Sequence, residues 1–376
     1  MFITYSTSVL RLFLLSFLLI SCGHKNSSTE FVQATSTQVI AVAYKDLYQQ
    51  ADALYESSTS CLLSTTDYVV VLEQLKPQWM RAWAAWQSVQ WVQFGPIKQD
   101  GREWALQFWP DKKNLVGNKL KRLLVDKDFI NSKTMEQEGV VVQGFSALEY
   151  LLFDESAQVA FTSRQRCLAV NAITKKALET SKSLNDDWQQ YDRDNFWKIN
   201  DPVPHAEILS AEQAVSIIIN DMIVAIDIII GKKISAPFAI TVNVVDSNQL
   251  SYNNKKINPY FLESWRSQTS LVNIKQNLFA IESVMSVGGL SKLLVANNRQ
   301  QLSQSLGHQI KTLLILLESD TFEESFFMQL SQNKRDNAKH IEDLYSGLLR
   351  LRVLLSRDVS DVLGIRLGFN ASDGDS

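Results

Sequence analysis

The chain has 376 residues, 45% of them hydrophobic and 20% charged, a globular composition with enough apolar material for a sizeable core. Its net charge of −3 carries no basic excess and its basic residues are scattered, so no nucleic-acid partner is expected. Only 14 glycines and 7 prolines punctuate it, which argues against a turn-rich β sandwich and predicts an all-α fold.

At the N-terminus Arg11 precedes LFLLSFLLIS, an apolar run suited to a secretory leader and short for a membrane span. The run stops at Cys22. Leu19-Ile20-Ser21-Cys22 resembles a bacterial lipobox, which implies that residues 1–21 are a removable signal peptide and that Cys22 carries a lipid. The mature chain would then be a membrane-tethered lipoprotein of the periplasm. By the same resemblance, Gly23 in place of an aspartate favours the outer over the inner membrane. The following GHKNSSTEFVQATSTQ is polar and Ser/Thr-rich, so residues 22–38 are expected to be a flexible tether. With Cys22 lipidated, Cys61 and Cys167 remain, an even pair in an oxidising compartment and candidates for one disulfide.

Val42, Leu47, Ala51 and Leu54 mark a first helix between Val39 and Tyr55. A second is predicted over 67–94, where Pro77 can kink it. Trp79, Trp83 and Trp86 share one face at i, i+4 and i+7, and six of the nine tryptophans fall between Trp79 and Trp109: core packing, or the wall of a pocket. After Gly95 and Pro96, helices are predicted over 112–130, 140–153 and 162–190. Ser210 and Gln213 form a capping-box pattern that opens the next helix. That helix contains SIIINDMIVAIDIIIG at 216–231, interrupted by Asn220, Asp221 and Asp227 short of the ~20 apolar residues a bilayer requires. A buried bundle helix is the reading.

Residues 232–258 gather Pro, Asn and Ser and are taken as the main linker, with AITVNVV as a short strand. Helical patterning returns over 261–286, 298–318 and 334–357. The organisation is therefore an N-terminal helical bundle over 39–231, a linker over 232–258 and a C-terminal bundle over 259–376.

Zinc catalysis lacks its spacing: His24, His205, His308 and His340 are scattered, with no HExxH. No phosphate-cradling glycine loop and no GxSxG occur, and no catalytic residue is assigned. What stands out is VVVQGFSALEYLLF at 140–153, where Gln143, Ser146 and Glu149 recur every third residue in an apolar stretch. Burial there raises a glutamate pKa unless a cation or hydrogen-bond donors offset it, and Arg81, Arg102 and Arg266 are the candidate cations. Glu149 is read either as a carboxylate holding two helices in register or as one facing a ligand between helices.

Gly144, Glu149 and the YLLF that follows resemble the GxHxxE motif of imelysin-like periplasmic lipoproteins, with Ser146 where the family has histidine. WMRAWAAWQSVQWVQFGPI, the FWP at 108–110, ESWRSQTSLVNIKQNLFAIE at 263–282 and the closing LGFNASDGD add to the resemblance. It implies paired, pseudo-symmetric helical bundles with a pocket between them near the motif helix. Trp86, Arg266, Ser267 and Ser270 are carried as pocket residues beside Gln143, Gly144, Ser146 and Glu149. The family further implies a role around iron or other metal uptake, a metal ion (iron or zinc) as the cofactor, and other envelope uptake proteins as partners. Two functions follow. The first is a non-catalytic component that binds a ligand or partner. The alternative is a metal-dependent peptidase in which His205, His308 or His340 replaces the missing ligand.

Overall fold

The computed structural model describes residues 27–63, 67–126, 131–242, 250–252, 257–318, 326–331 and 338–365. Cys22, the leader and the closing LGFNASDGD lie outside them.

The chain enters as one long helix, α1 (27–58), regular at first, widened over Thr35–Ile40 and regular again over Ala41–Ser58. This corrects the expected tether over 22–38, which is helical from residue 27. Phe31 and Val32 are buried in the core, and the neighbouring hydroxyls are committed to the protein: Thr35 donates to the Gly288 carbonyl and Ser36 to the Asp192 carboxylate. Ser/Thr-rich composition signals a tether only where those hydroxyls face water.

α2 (Tyr68–Val89) starts at Asp67, whose carboxylate accepts from the Val69 and Val70 N–H groups, and continues through Pro77. After the short α3 (Arg102–Leu106) come α4 (Leu115–Asp126) and α5 (Ser132–Gln137). The helix predicted over 140–153 is broken. Val140–Val142 form a 3-10 turn, Gln143 is extended, and α6 begins only at Gly144 and runs to Phe153. Gly144 has φ +65, and a β-carbon there would lie 2.2 Å from the Ala105 carbonyl oxygen and 2.3 Å from that of Leu106. Glycine is what lets α6 start against α3.

α7 (Glu155–Ala160) and the 30-residue α8 (Ser163–Asp192) follow, the latter opened by a Thr162/Gln165 capping box. α1 packs between α2 and α8, and α6 lies across α2 and α8. Cys61 and Cys167 are joined by a disulfide that ties the end of α1 to α8 across 106 residues.

α9 (Ala211–Ile228) is capped by Ser210, which accepts from the Gln213 N–H, and continues without interruption through a wide-turned segment to Phe238. By length and composition this rod is apolar enough to cross a membrane. Two of its acids are nonetheless committed to the protein: Asp221 accepts from the Gln93 N–H at 2.6 Å, and Asp227 pairs with Arg352. The linker expected from 232 starts only after 238. A small antiparallel hairpin then pairs β1 (Ile240–Val242) with β2 (Leu250–Tyr252), Ile240 opposite Tyr252.

The helix expected from 261 begins only at Ser270. Residues 259–269 form a 3-10 turn and a coil in which Ser264 and Gln268 take positive φ. α10 (Ser270–Ser286), α11 (Leu290–Ala296), α12 (Gln300–Glu318), α13 (Phe326–Ser331) and α14 (Ala338–Val353) complete the described fold, α14 continuing helically to Leu363. α10 packs on α12, α12 on α14, and α14 on α9. α10 also packs against α2, so buried apolar side chains from Phe31 to Val359 form one continuous cluster across both sets of helices. The architecture is all-α, with the hairpin as its one β feature among the described residues.

Candidate functional site

The tryptophan stripe of α2 sets the site. Trp79 donates its indole N–H to the Phe145 carbonyl at 3.1 Å and stacks on Trp83, which meets the Phe145 ring edge-on. Trp83 donates to Asn273 on α10 at 2.8 Å, and Trp86 to Gln107 at 2.6 Å. The stripe therefore both packs and locks: each indole N–H is spent fixing α6, α10 or the 107–110 segment.

Glu149 sits on α6 at 5% exposure. Its Oε1 accepts two hydrogen bonds, both at 2.9 Å, from the backbone N–H and the hydroxyl of Ser267 in the 259–269 coil. Burial raises its pKa, and the Arg266 charge and the two Ser267 bonds offset that only in part. Of the three candidate cations Arg266 is the one that acts. Arg102 is paired with Asp187 at 2.7 Å and Arg81 is exposed.

Arg266 is tightly held. Its Nε donates to Asp154 at 2.6 Å, its Nη2 donates to Asn114 at 3.0 Å, and its guanidinium lies 4.3 Å from the Trp265 ring centre and 5.3 Å from that of Tyr150. Burial would raise the Asp154 carboxyl, but hydrogen bonds from Ser156 and Arg266 and the Arg266 charge hold it below the ordinary aspartate value.

Glu149, Arg266 and Ser146 line one pocket, walled by Trp83, Phe108, Trp109, Tyr260 and Trp265 and closed below by Glu263. The space it leaves for water is about 30 Å³, room for about two waters. Other expected site residues do different work. Gln143, extended ahead of α6, turns away and donates to the Met135 and Glu136 carbonyls, so it leaves the Ser146/Glu149 stripe. Trp86 lies behind the wall, with Trp83 in the place expected of it. Ser270 donates to the Glu263 carbonyl and steadies the coil. Gly144 acts through backbone approach alone.

Beneath the pocket lies a second polar centre that the sequence reading missed. Lys233 and Glu263, each 2% exposed, form an ion pair at 2.8 Å. Lys233 also donates to Gln87, Gln90 and Asn277, while Glu263 accepts from Gln87, Gln107 and Asn273. Burial would raise the Glu263 carboxyl, but the Lys233 charge and the surrounding N–H donors outweigh it and hold it below the ordinary glutamate range. Lys233 stood in the supposed linker and Glu263 at the head of a supposed helix. The available signal was amide spacing: Gln87 and Gln90 at i, i+3 at the C-terminal end of α2, and Asn273 and Asn277 at i, i+4 on α10.

The family's implied metal does not fit these donors. Ser146 is a serine and offers no imidazole, the cation beside Glu149 is an arginine, and Glu149 Oε1 is already bonded to Ser267. Among the described residues no group of three or more His, Cys, Asp or Glu is placed to hold a metal ion. Of the described histidines, none lines the pocket, and His205 instead faces Asp194 at 3.4 Å.

Fold and site thus define an all-helical protein with a carboxylate and a guanidinium buried under one aromatic wall. The sequence matches the profile of the Imelysin family over residues 38–355, and the chain belongs to that family. Comparison with curated proteins returns no match. An imelysin-like protein from Psychrobacter arcticum 273-4 has a similar fold, with a TM-score of 0.73 at 20% identity, covering 92% of this chain and 98% of that one. A protein named iron-regulated protein A precursor, from Parabacteroides distasonis ATCC 8503, gives 0.66 at 16% identity, covering 90% and 94%.

Proposed function

We propose that this chain is a non-catalytic, lipid-anchored envelope protein that binds a small ligand in the Glu149 pocket and serves an uptake system tied to iron. The observation that carries the reading is the pocket's chemistry. A buried carboxylate sits beside a fixed arginine, where a metallopeptidase needs a cluster of nitrogen and carboxylate ligands and a metal-held water. The fold it shares with a protein named as iron-regulated supports the link to iron supply. The Leu19–Cys22 lipobox supports an anchor in the periplasm, on the outer membrane, and other envelope uptake proteins are the partners this role calls for.

The test is zinc and ferrous-iron titration, with a casein-hydrolysis assay, on the native chain, Glu149→Ala and Ser146→His. The expected result is no hydrolysis and no metal bound through Glu149 in the native chain. Stoichiometric metal lost in Glu149→Ala, or casein cleavage that depends on Glu149, would replace this reading with the peptidase one.

A further inference from the structure

The polar groups lining the pocket divide into those already satisfied and those that are not. Asp111 spends both carboxylate oxygens on the Leu115 and Val116 N–H groups at the start of α4, at 2.6 and 3.0 Å. Glu263 is saturated by Lys233, Gln87, Gln107 and Asn273. Gln107 is held by Trp86, Gln90 and Glu263. Each of these is thus anchored to the protein by two or more bonds.

Three groups keep an unpartnered atom. Glu149 is more than nine-tenths buried, yet its Oε2 accepts no hydrogen bond from any described residue. The Ser146 hydroxyl, one helical turn away, likewise has no partner among the described residues. Arg266 commits Nε and Nη2, leaving Nη1 without a partner there. An unpartnered carboxylate oxygen and a guanidinium edge that line one pocket are free to bond a complementary ligand in place of water.

We infer that the pocket binds the head of a zwitterionic α-amino acid, its ammonium on Glu149 Oε2 and the Ser146 hydroxyl, its carboxylate on Arg266. A bare amine would leave Arg266 unanswered, and a bare carboxylate would face Glu149 with like charge. The side chain is left to Trp109 and the exposed Tyr260, which line the same pocket and whose ring faces accept apolar groups. This rests on the binding-protein reading and adds the class of ligand.

The experiment is calorimetric titration of the full chain, purified in detergent, with L-alanine and L-phenylalanine. Ethylamine and propionate serve as the half-molecules lacking one charge. The expected result is saturable binding of at least one amino acid, weakened by about tenfold or more when either charge is missing from the ligand, and likewise in Glu149→Gln and Arg266→Lys. Near-UV circular dichroism checks that each variant is folded, and either variant suffices if the other is not. No binding of either amino acid, or ethylamine binding as tightly as L-alanine, overturns the inference and leaves the binding-protein reading standing. Metal held by Glu149 would overturn both.

Discussion

Glu149 and Glu263 border the same pocket, both are almost wholly buried, and their carboxyls are displaced in opposite directions. Glu263 has a lysine in contact and amide donors on both oxygens. Glu149 has two bonds on one oxygen, none on the other, and its arginine is engaged elsewhere. The difference separates architecture from function. A fully satisfied buried charge fixes helices, whereas an under-satisfied one retains capacity for something that is not part of the chain. Glu149 is of the second kind.

The comparison can be broken most forcefully at the saturated pair. Glu263→Gln should cost about 3–5 kcal/mol of stability in urea unfolding, because it strands the Lys233 charge in the core. Combining Lys233→Met with Glu263→Leu should recover part of that loss: the charges are gone, but the amides of Gln107 and Asn273 are left without their acceptor. If Glu263→Gln unfolds like the native chain, the pair is not the clamp described.

Next in size is Gly144→Ala. The added β-carbon meets the Ala105 and Leu106 backbone at 2.2–2.6 Å in a positive-φ position, so α6 must shift. A loss on the order of 3 kcal/mol is expected in the same assay.

The smallest effect is the most diagnostic. Glu149 has a raised carboxyl, so its contribution to stability is full below its unfolded value near 4.5 and is lost as pH rises through the folded value. Glu263 has a lowered one, so its contribution is present above about 4.5 and is lost as pH falls through the folded value. Glu149→Gln should therefore melt closer to, or above, the native chain at pH 8 than at pH 4, with the acid limb of the profile unchanged. A melting-temperature difference that does not vary with pH would mean that the Glu149 carboxyl is not displaced, and a variant that falls further below the native chain at pH 8 than at pH 4 would mean that Glu149 is as well satisfied as Glu263.

Much of the helical frame was legible in local pattern. The Ser210 cap, the apolar face of α9, the short strand in AITVNVV and the position of Glu149 in an apolar helix all followed from spacing and turn chemistry, which act over a few residues. The readings that failed share one cause. Residues 27–38 look like a tether until Phe31 and Val32 find a core. Residues 261–269 look like the start of a helix until Ser267 must reach Glu149. Gln143 falls in step with Ser146 and Glu149 until Gly144 turns the chain.

The sequence by itself determined that the chain folds as long helices, that a lone carboxylate falls among apolar residues in one of them, and that a serine stands where the resemblance calls for histidine. Which arginine stands beside that carboxylate was decided only by the tertiary structure. So was the pairing of Lys233 with Glu263, and so was the division of the pocket's polar groups into spent and unspent. The physical reason is that burial and hydrogen-bond satisfaction belong to groups brought together from distant segments: Glu149 and Ser267 are 118 residues apart, and Lys233 and Gln87 146. No local window contains both partners.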